Sequence, residues 1–186
     1  MTSLEKKKST RKGIYIPIIV NKTVPVNIIN VGRNIQQTLE LIIANELEGK
    51  CCDEGFVKPQ SVKVQTFSSG MIHADNIHYQ VAFKCDVCNP VEGMDIKCVA
   101  KNITKAGIRA EIDETVNPLC IFISRDHHHI DEYFTSVKEN DTINVRVIGQ
   151  RYELNDKYIS IIAELLPPTV KKTRKTSKKP KLIIRD

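Results

Sequence analysis

The chain has 186 residues, enough for one large domain or two small ones, and with five Phe, five Tyr and no Trp its core must be built mainly on aliphatic side chains. The formal net charge of +6 is unevenly spread: residues 1–12 carry five basic groups and one acid, residues 171–186 carry eight and one, and the 15 basic and 20 acidic groups of 13–170 leave the body at −5. That excludes a uniformly basic nucleic-acid binder. The tails supply long-range, salt-sensitive attraction to phosphates, whereas the body must work through a local patch or a protein partner.

Residues 1–12 are charged, polar and without periodicity, and read as a basic disordered N-terminus. They lack the apolar stretch of a signal peptide, and no apolar run reaches the ~18 residues of a membrane helix. The six cysteines are therefore expected to be reduced thiols in an intracellular protein without membrane contact. IYIPIIVNKTVPVNI, from Ile14 to Ile28, predicts one or two strands interrupted by Pro17 and Pro25, prolines that within a strand mark an edge or a bulge. The one convincing helix follows in VGRNIQQTLELIIANELEG, where Ile35, Leu39, Ile42, Ile43 and Leu47 form an apolar stripe that Gly49 brings to a stop.

After the helix come a strand, a tight turn at Asp53-Glu54-Gly55 and a second strand, then the alternating run HYQVAFKCDVC from His78 to Cys88. The first half, 13–90, is thus expected to be an α+β domain with one helix on an antiparallel sheet. Asn89-Pro90 marks its seam with the second half, 91–168, with almost no linker between them. There, two β-forming runs flank the turn Thr104 to Gly107 and a third run follows at LCIFIS. After a polar interval rich in histidine and acids, TINVRVIGQRYEL and KYISIIAEL are separated by Asn155-Asp156. Five short strands with an insertion before the last two predict an OB-fold, an all-β Greek-key barrel that most often binds single-stranded nucleic acid. Pro167-Pro168 ends the barrel, and 169–186 is a lysine-rich tail whose terminal LIIR is suited to docking as a strand.

An ordered set of short motifs links these halves. EGKC follows the helix, GFV the next turn, VEGMDIKCVAKNITKAGIRAEI opens the barrel, and CIFISRDHHH and INVRVIGQRYELNDKYISIIAEL complete it. Over about Ile14 to Leu166 this order and spacing resembles the stalk subunit of multisubunit DNA-directed RNA polymerases, that is, the seventh-largest subunit of RNA polymerase II and its archaeal counterpart. The resemblance implies a non-catalytic subunit without cofactor. Its first domain would dock a tip loop on the polymerase core near the clamp, a smaller partner subunit would bind along its side, and its barrel would contact exiting nascent RNA. By alignment the docking residues would be Cys52, Asp53, Glu54, Gly55 and Phe56, with Gly32, Arg33 and Asn34 at the entrance to the helix nearby. The 25 Ile against 7 Ala and 20 Lys against 8 Arg follow AT-rich codons, which suits the version carried by large DNA viruses. The implied location is the nucleus if cellular, or a cytoplasmic virus factory and virion if viral.

The barrel departs from RNA binders that stack bases on aromatics of the second and third strands, because AGIRAEI has none and the third strand keeps only Phe122. Beside Phe122, the candidate RNA contacts are Lys101, Lys105, Arg109, Arg125 and His127, suited to sequence-independent phosphate contact. The alternative function is a free-standing OB-fold RNA-binding protein in translation or RNA decay, for which a basic, stacking-competent barrel is expected instead. Cys85 and Cys88 supply half of a zinc site, but adjacent Cys51 and Cys52 point to opposite faces of a strand, so buried thiols are the expected state. The histidines at 127–129 lack any nucleophile or zinc motif and read as a polar loop. Asp126, Asp131, Glu132 and Glu139 read as a solvated surface, and Gly70 and Gly149 stand alone rather than in a phosphate loop, so no catalytic role is expected.

Overall fold

The first strand, β1 (Tyr15–Asn27), runs unbroken for 13 residues and pairs antiparallel along its whole length with β6 (Asn76–Cys88). The structure, a computed structural model, describes residues 13–128 and 132–167. The segments 1–12 and 169–186, expected as basic extensions, lie outside the described residues, as do His129 and Asp131. The break expected at Pro17 or Pro25 does not occur. β1 is the edge of its sheet, where a proline is tolerated if its missing N–H would have faced away from the ladder.

Alternation then builds a two-layer domain. Val24 and Val26 of β1 and Tyr79, Val81, Phe83, Cys85 and Val87 of β6 turn to one face and bury Leu39 and Ile43 of α1 (Ile35–Leu47). The predicted helix is thus present and stops ahead of Gly49. A 3-10 turn at Ile28–Asn30, capped by the Asn27 side chain accepting from the Ile29 N–H, links β1 to it. On the other side of β6 lie β3 (Gly55–Val57), β4 (Lys63–Phe67) and β5 (Met71–His73), with the two-residue β2 (Cys51–Cys52) beyond β3.

The second half closes into a barrel of β7 (Asp95–Ile103), β8 (Gly107–Glu111), β9 (Leu119–Ser124), β11 (Ile159–Leu165) and β10 (Thr142–Arg151), in that neighbour order. The β9–β11 pairing is parallel and the others are antiparallel, the Greek-key closure expected of an OB-like barrel. Ile108, Leu119, Ile121, Ile123, Ile143, Ile159 and Ile161 fill its interior, so the aliphatic composition becomes one continuous core. The interval expected as a polar loop is instead a 3-10 turn at Arg125–His127 followed by the short α2 (Glu132–Ser136). Among the described residues no helix is long and apolar enough to cross a membrane.

The two halves share packing at their seam. Cys51, Phe56 and Cys88 belong to the barrel's buried cluster rather than to that of α1. The Cys51 N–H donates to the Asp156 carbonyl at 2.8 Å, the Asn155 N–H to the Cys51 carbonyl at 2.9 Å, and the Tyr152 hydroxyl to the Asp53 carbonyl at 3.2 Å. The Asn89 amide bridges the halves, donating to the Glu54 carbonyl at 3.0 Å and accepting from Gln150 at 2.9 Å.

Candidate nucleic-acid interface and docking surfaces

Register places most of the barrel's candidate RNA contacts on one surface. Arg109 sits directly across from Phe122 and from Asn102, and β11 sets Ile162 beside Phe122 on the other side. Phe122 is 38% exposed although it lies mid-strand in the barrel wall. Gly107 explains how its ring lies there. A Cβ at Gly107 would fall 2.9 Å from Phe122 Cζ and 2.3 Å from the Ile123 carbonyl oxygen, so the ring rests over bare backbone. Half-exposed Ile162 extends the apolar spot, a contact that strand alternation in KYISIIAEL places on the outer face and that the sequence reading passed over.

Basic groups surround this spot. Lys101 lies at the irregularity of the β7–β8 pairing between Ala100 and Asn102, and Lys105 on the turn that follows, held by Thr104 and Gly107. The Arg125 N–H donates to the Ala106 carbonyl at 3.0 Å, which brings the 3-10 turn carrying Arg125 and His127 against Lys105. All five basic candidates are exposed. Two are engaged within the chain: Arg109 meets Glu111 at 3.3 Å, and the Arg125 guanidinium lies 5.6 Å from the Phe134 ring centroid. An exposed pair such as Arg109–Glu111 contributes only ~0–1 kcal/mol, so the arginine is available to a phosphate. Among the described residues this surface sets exposed Phe122 beside several basic groups, which fits backbone contact better than sequence readout.

The residues aligned with a docking tip do not form one patch. Gly32, Arg33 and Asn34 are exposed ahead of α1, whereas Cys52 to Phe56 follow its other end. A 13-residue helix is about 20 Å long. The expected proximity of the two groups is therefore corrected. The 52–56 turn lies in the seam: only Asp53 and Glu54 are exposed, and Phe56 is 1% exposed inside the barrel-side core. Gly55, at φ +125, has its α-carbon so close to Cys88 that a Cβ would lie 2.5 Å from that residue's carbonyl oxygen. Cys52 is half-buried, and its thiol can donate its one proton to either the Gly55 carbonyl at 3.3 Å or the Glu54 carboxylate at 3.2 Å.

A different surface gathers where β1 stops and β5 turns into β6, the end of the first sheet remote from the seam. Ile28, Ile29, Met71 and Ile72 are all exposed there, Ile29 at 87% and Ile72 at 75%. The Ile28 N–H donating to Asp75 ties the two chain segments together. Gly32 to Asn34 continue from the same connection. Side chains of this kind bury themselves when the whole sheet end is covered by another protein.

No protein-family model matches the chain. It is 24% identical over 149 residues, 72% of its own length and 72% of the relative's, to a protein of Acanthamoeba polyphaga mimivirus named as a putative DNA-directed RNA polymerase subunit. The similarity covers most of both chains.

The remaining candidates for chemistry are structural. His128, read from sequence as one of three loop histidines, is 7% exposed. Its Nδ1 lies 2.9 Å from the Ser124 carbonyl oxygen and its Nε2 accepts from the Leu165 N–H at 2.8 Å, so the neutral ring carries its proton on Nδ1. The ring stacks on Phe134 at 5.2 Å. Nothing in HHH distinguishes the middle histidine; only the path of β11 does. Cys51 and Cys88 lie in the barrel cluster and Cys52 and Cys85 with the α1 cluster. Among the described residues no three His, Cys, Asp or Glu side chains converge as metal ligands. Burial pushes the thiols of Cys51 and Cys85 up to about 11 and those of Cys88 and Cys98 up to about 12, which keeps them protonated and unreactive at neutral pH.

Proposed function

We propose that this chain is a non-catalytic subunit of a DNA-directed RNA polymerase of the stalk type, joined to the core through its α+β domain and holding its barrel beside exiting RNA. The observation that carries the reading is the architecture. An α+β domain bears an exposed apolar end on one side and is bolted on the other to an OB-like barrel. The mimivirus relative's name supports the polymerase assignment, and the ordered motifs support the stalk assignment. Docking is assigned to Ile28, Ile29, Met71 and Ile72 together with Gly32, Arg33 and Asn34. The 52–56 turn instead fixes the angle of the barrel. Lys101, Lys105, Arg109, Phe122, Arg125 and His127 contact the transcript, chiefly at phosphates, and a smaller subunit accompanies the chain. The body's −5 charge fits a barrel that is kept near RNA by its complex rather than by its own affinity.

The test is affinity purification of the tagged full chain at moderate salt from its native source, with co-purifying proteins identified by mass. The two large polymerase subunits are expected in near-stoichiometric amount. Recovery of RNA or ribosomal proteins without them would replace this reading with that of a free-standing RNA-binding protein.

A further inference from the structure

β1 leaves one edge of the first sheet uncovered, and the chemistry of that edge is specific. β6 holds one side of β1, and among the described residues no strand pairs with the other. In an antiparallel strand each residue's N–H and C=O point the same way, alternating from residue to residue. Ile28, just past the strand, donates inward to Asp75, so even positions face β6 and odd positions face out. The far side of β6 agrees. Gln80, opposite Thr23, and Asp86, opposite Pro17, turn their carbonyls away from β1 to accept from Ser68 and Lys58. Pro17 and Pro25 therefore occupy outward positions, where each lacks a donor and blocks an added strand. Between them Ile19, Asn21 and Thr23 present three outward N–H and C=O pairs.

The sheet face away from α1 carries a second signal. Register aligns Ile19, Lys84 and Lys63 in one row across β1, β6 and β4. The two lysines stand directly opposite each other, and among the described residues neither has an ion pair. Like charges in that relation are destabilising until an acid joins them. Asp86, on the same face opposite Pro17, pairs with neither. Ile19, at the head of the row, is 63% exposed.

We infer that the Ile19–Thr23 edge of β1 takes an extended acidic segment of another polypeptide as an added strand. Its outward amides pair with the three dyads, its carboxylates lie toward Lys84 and Lys63, and its alternate apolar side chains lie beside half-buried Ile18 and Val20 on the α1 side. A second copy of the chain does not supply this chemistry. β1 contains no acid, and pairing two copies edge to edge would place both lysine pairs on one face. The inference stands apart from the polymerase reading, which neither requires nor excludes it.

The probe is a blocked heptapeptide of alternating valine and glutamate, with a valine–lysine heptapeptide as control, added to the isotopically labelled full chain and read by amide exchange in NMR. The glutamate peptide is expected to slow exchange at Ile19, Asn21 and Thr23 at least about tenfold, leaving Val20 and Lys22, already in the ladder, unchanged. Asn21→Pro, at an outward position like Pro17 and Pro25, should abolish the effect with the rest of the spectrum intact, while Asn21→Ala keeps it. Lys63→Glu with Lys84→Glu, which leaves the backbone alone, should reverse the preference toward the lysine peptide. Equal effects of both peptides, no effect of either, or protection that grows with protein concentration alone would each overturn the inference, the last in favour of a second copy.

Discussion

His128 is held by two hydrogen bonds of opposite sense, donating to the end of β9 and accepting from the end of β11, with its ring stacked on Phe134. Removing it leaves the buried Leu165 N–H and the part-buried Ser124 carbonyl without that partner and loses the ring stack, so His128→Ala should cost about 2–4 kcal/mol by urea unfolding. His127→Ala, at an exposed neighbour, should cost less than about 0.5 kcal/mol. Similar losses for both would return the ring to the polar loop that the sequence suggests. Burial holds Cys88 and Cys98 near 12 against an ordinary 9.0, so the stability they contribute is intact below about pH 9 and is lost as pH rises toward 12. The urea midpoint should therefore fall between pH 8 and pH 11, less steeply in Cys98→Ala. An equally steep fall in that variant would remove Cys98 from the account.

Among the elements, the β2–β3 turn does the most with the fewest residues. It closes the first sheet, gives Phe56 to the barrel core and supplies carbonyls to Tyr152 and Asn89. Gly55→Ala adds a Cβ against the Cys88 carbonyl at an unfavourable φ, so it should lower the stability of the protein by more than about 1 kcal/mol, seen as a lower thermal midpoint. An unchanged midpoint would show that the seam yields. The elements were legible in the sequence because their signals are local. The stripe of Ile35, Leu39, Ile42, Ile43 and Leu47 marks α1, alternation marks β6, and five β-forming runs with turns mark the barrel. Pro17 and Pro25 mark β1 as an edge strand, but whether the chain runs through them as one strand or breaks into two is decided only by the neighbouring strand, which here pairs along the whole length. That the 52–56 turn packs Gly55 and Phe56 in the seam while Asp53 and Glu54 stay exposed is not legible in the sequence, because exposed turns and turns packed on another domain have the same composition. Which side of α1 faces outward, and that Ile29 and Ile72 lie at the same end of the sheet, depend on contacts between segments far apart in sequence.

At the scale of the whole molecule, the two candidate surfaces lie on different halves: the basic candidates around Phe122 on the barrel, and Ile28, Ile29, Met71 and Ile72 at the far end of the first sheet, with the seam joining the halves through shared packing and backbone hydrogen bonds. If RNA contact is chiefly electrostatic, Lys105→Ala with Arg109→Ala should reduce the salt dependence of RNA binding by about 1.4 in the slope of log K against log salt, two single-strand phosphate contacts. Binding by the isolated chain should be weak throughout, and an unchanged slope would take these two residues out of the interface. Phe122→Ala should weaken binding further only where a base stacks, by ~1–3 kcal/mol.

The most direct measurement of the central claim is quantitative affinity purification from the native source of the parent chain, of Ile29→Asp with Ile72→Asp, and of Lys105→Ala with Arg109→Ala. The parent and the barrel variant should recover the large polymerase subunits equally, and the apolar-end variant, folded by circular dichroism, less than about a tenth as much. Full recovery by the apolar-end variant, or loss of the polymerase on changing only the barrel lysine and arginine, would contradict that claim.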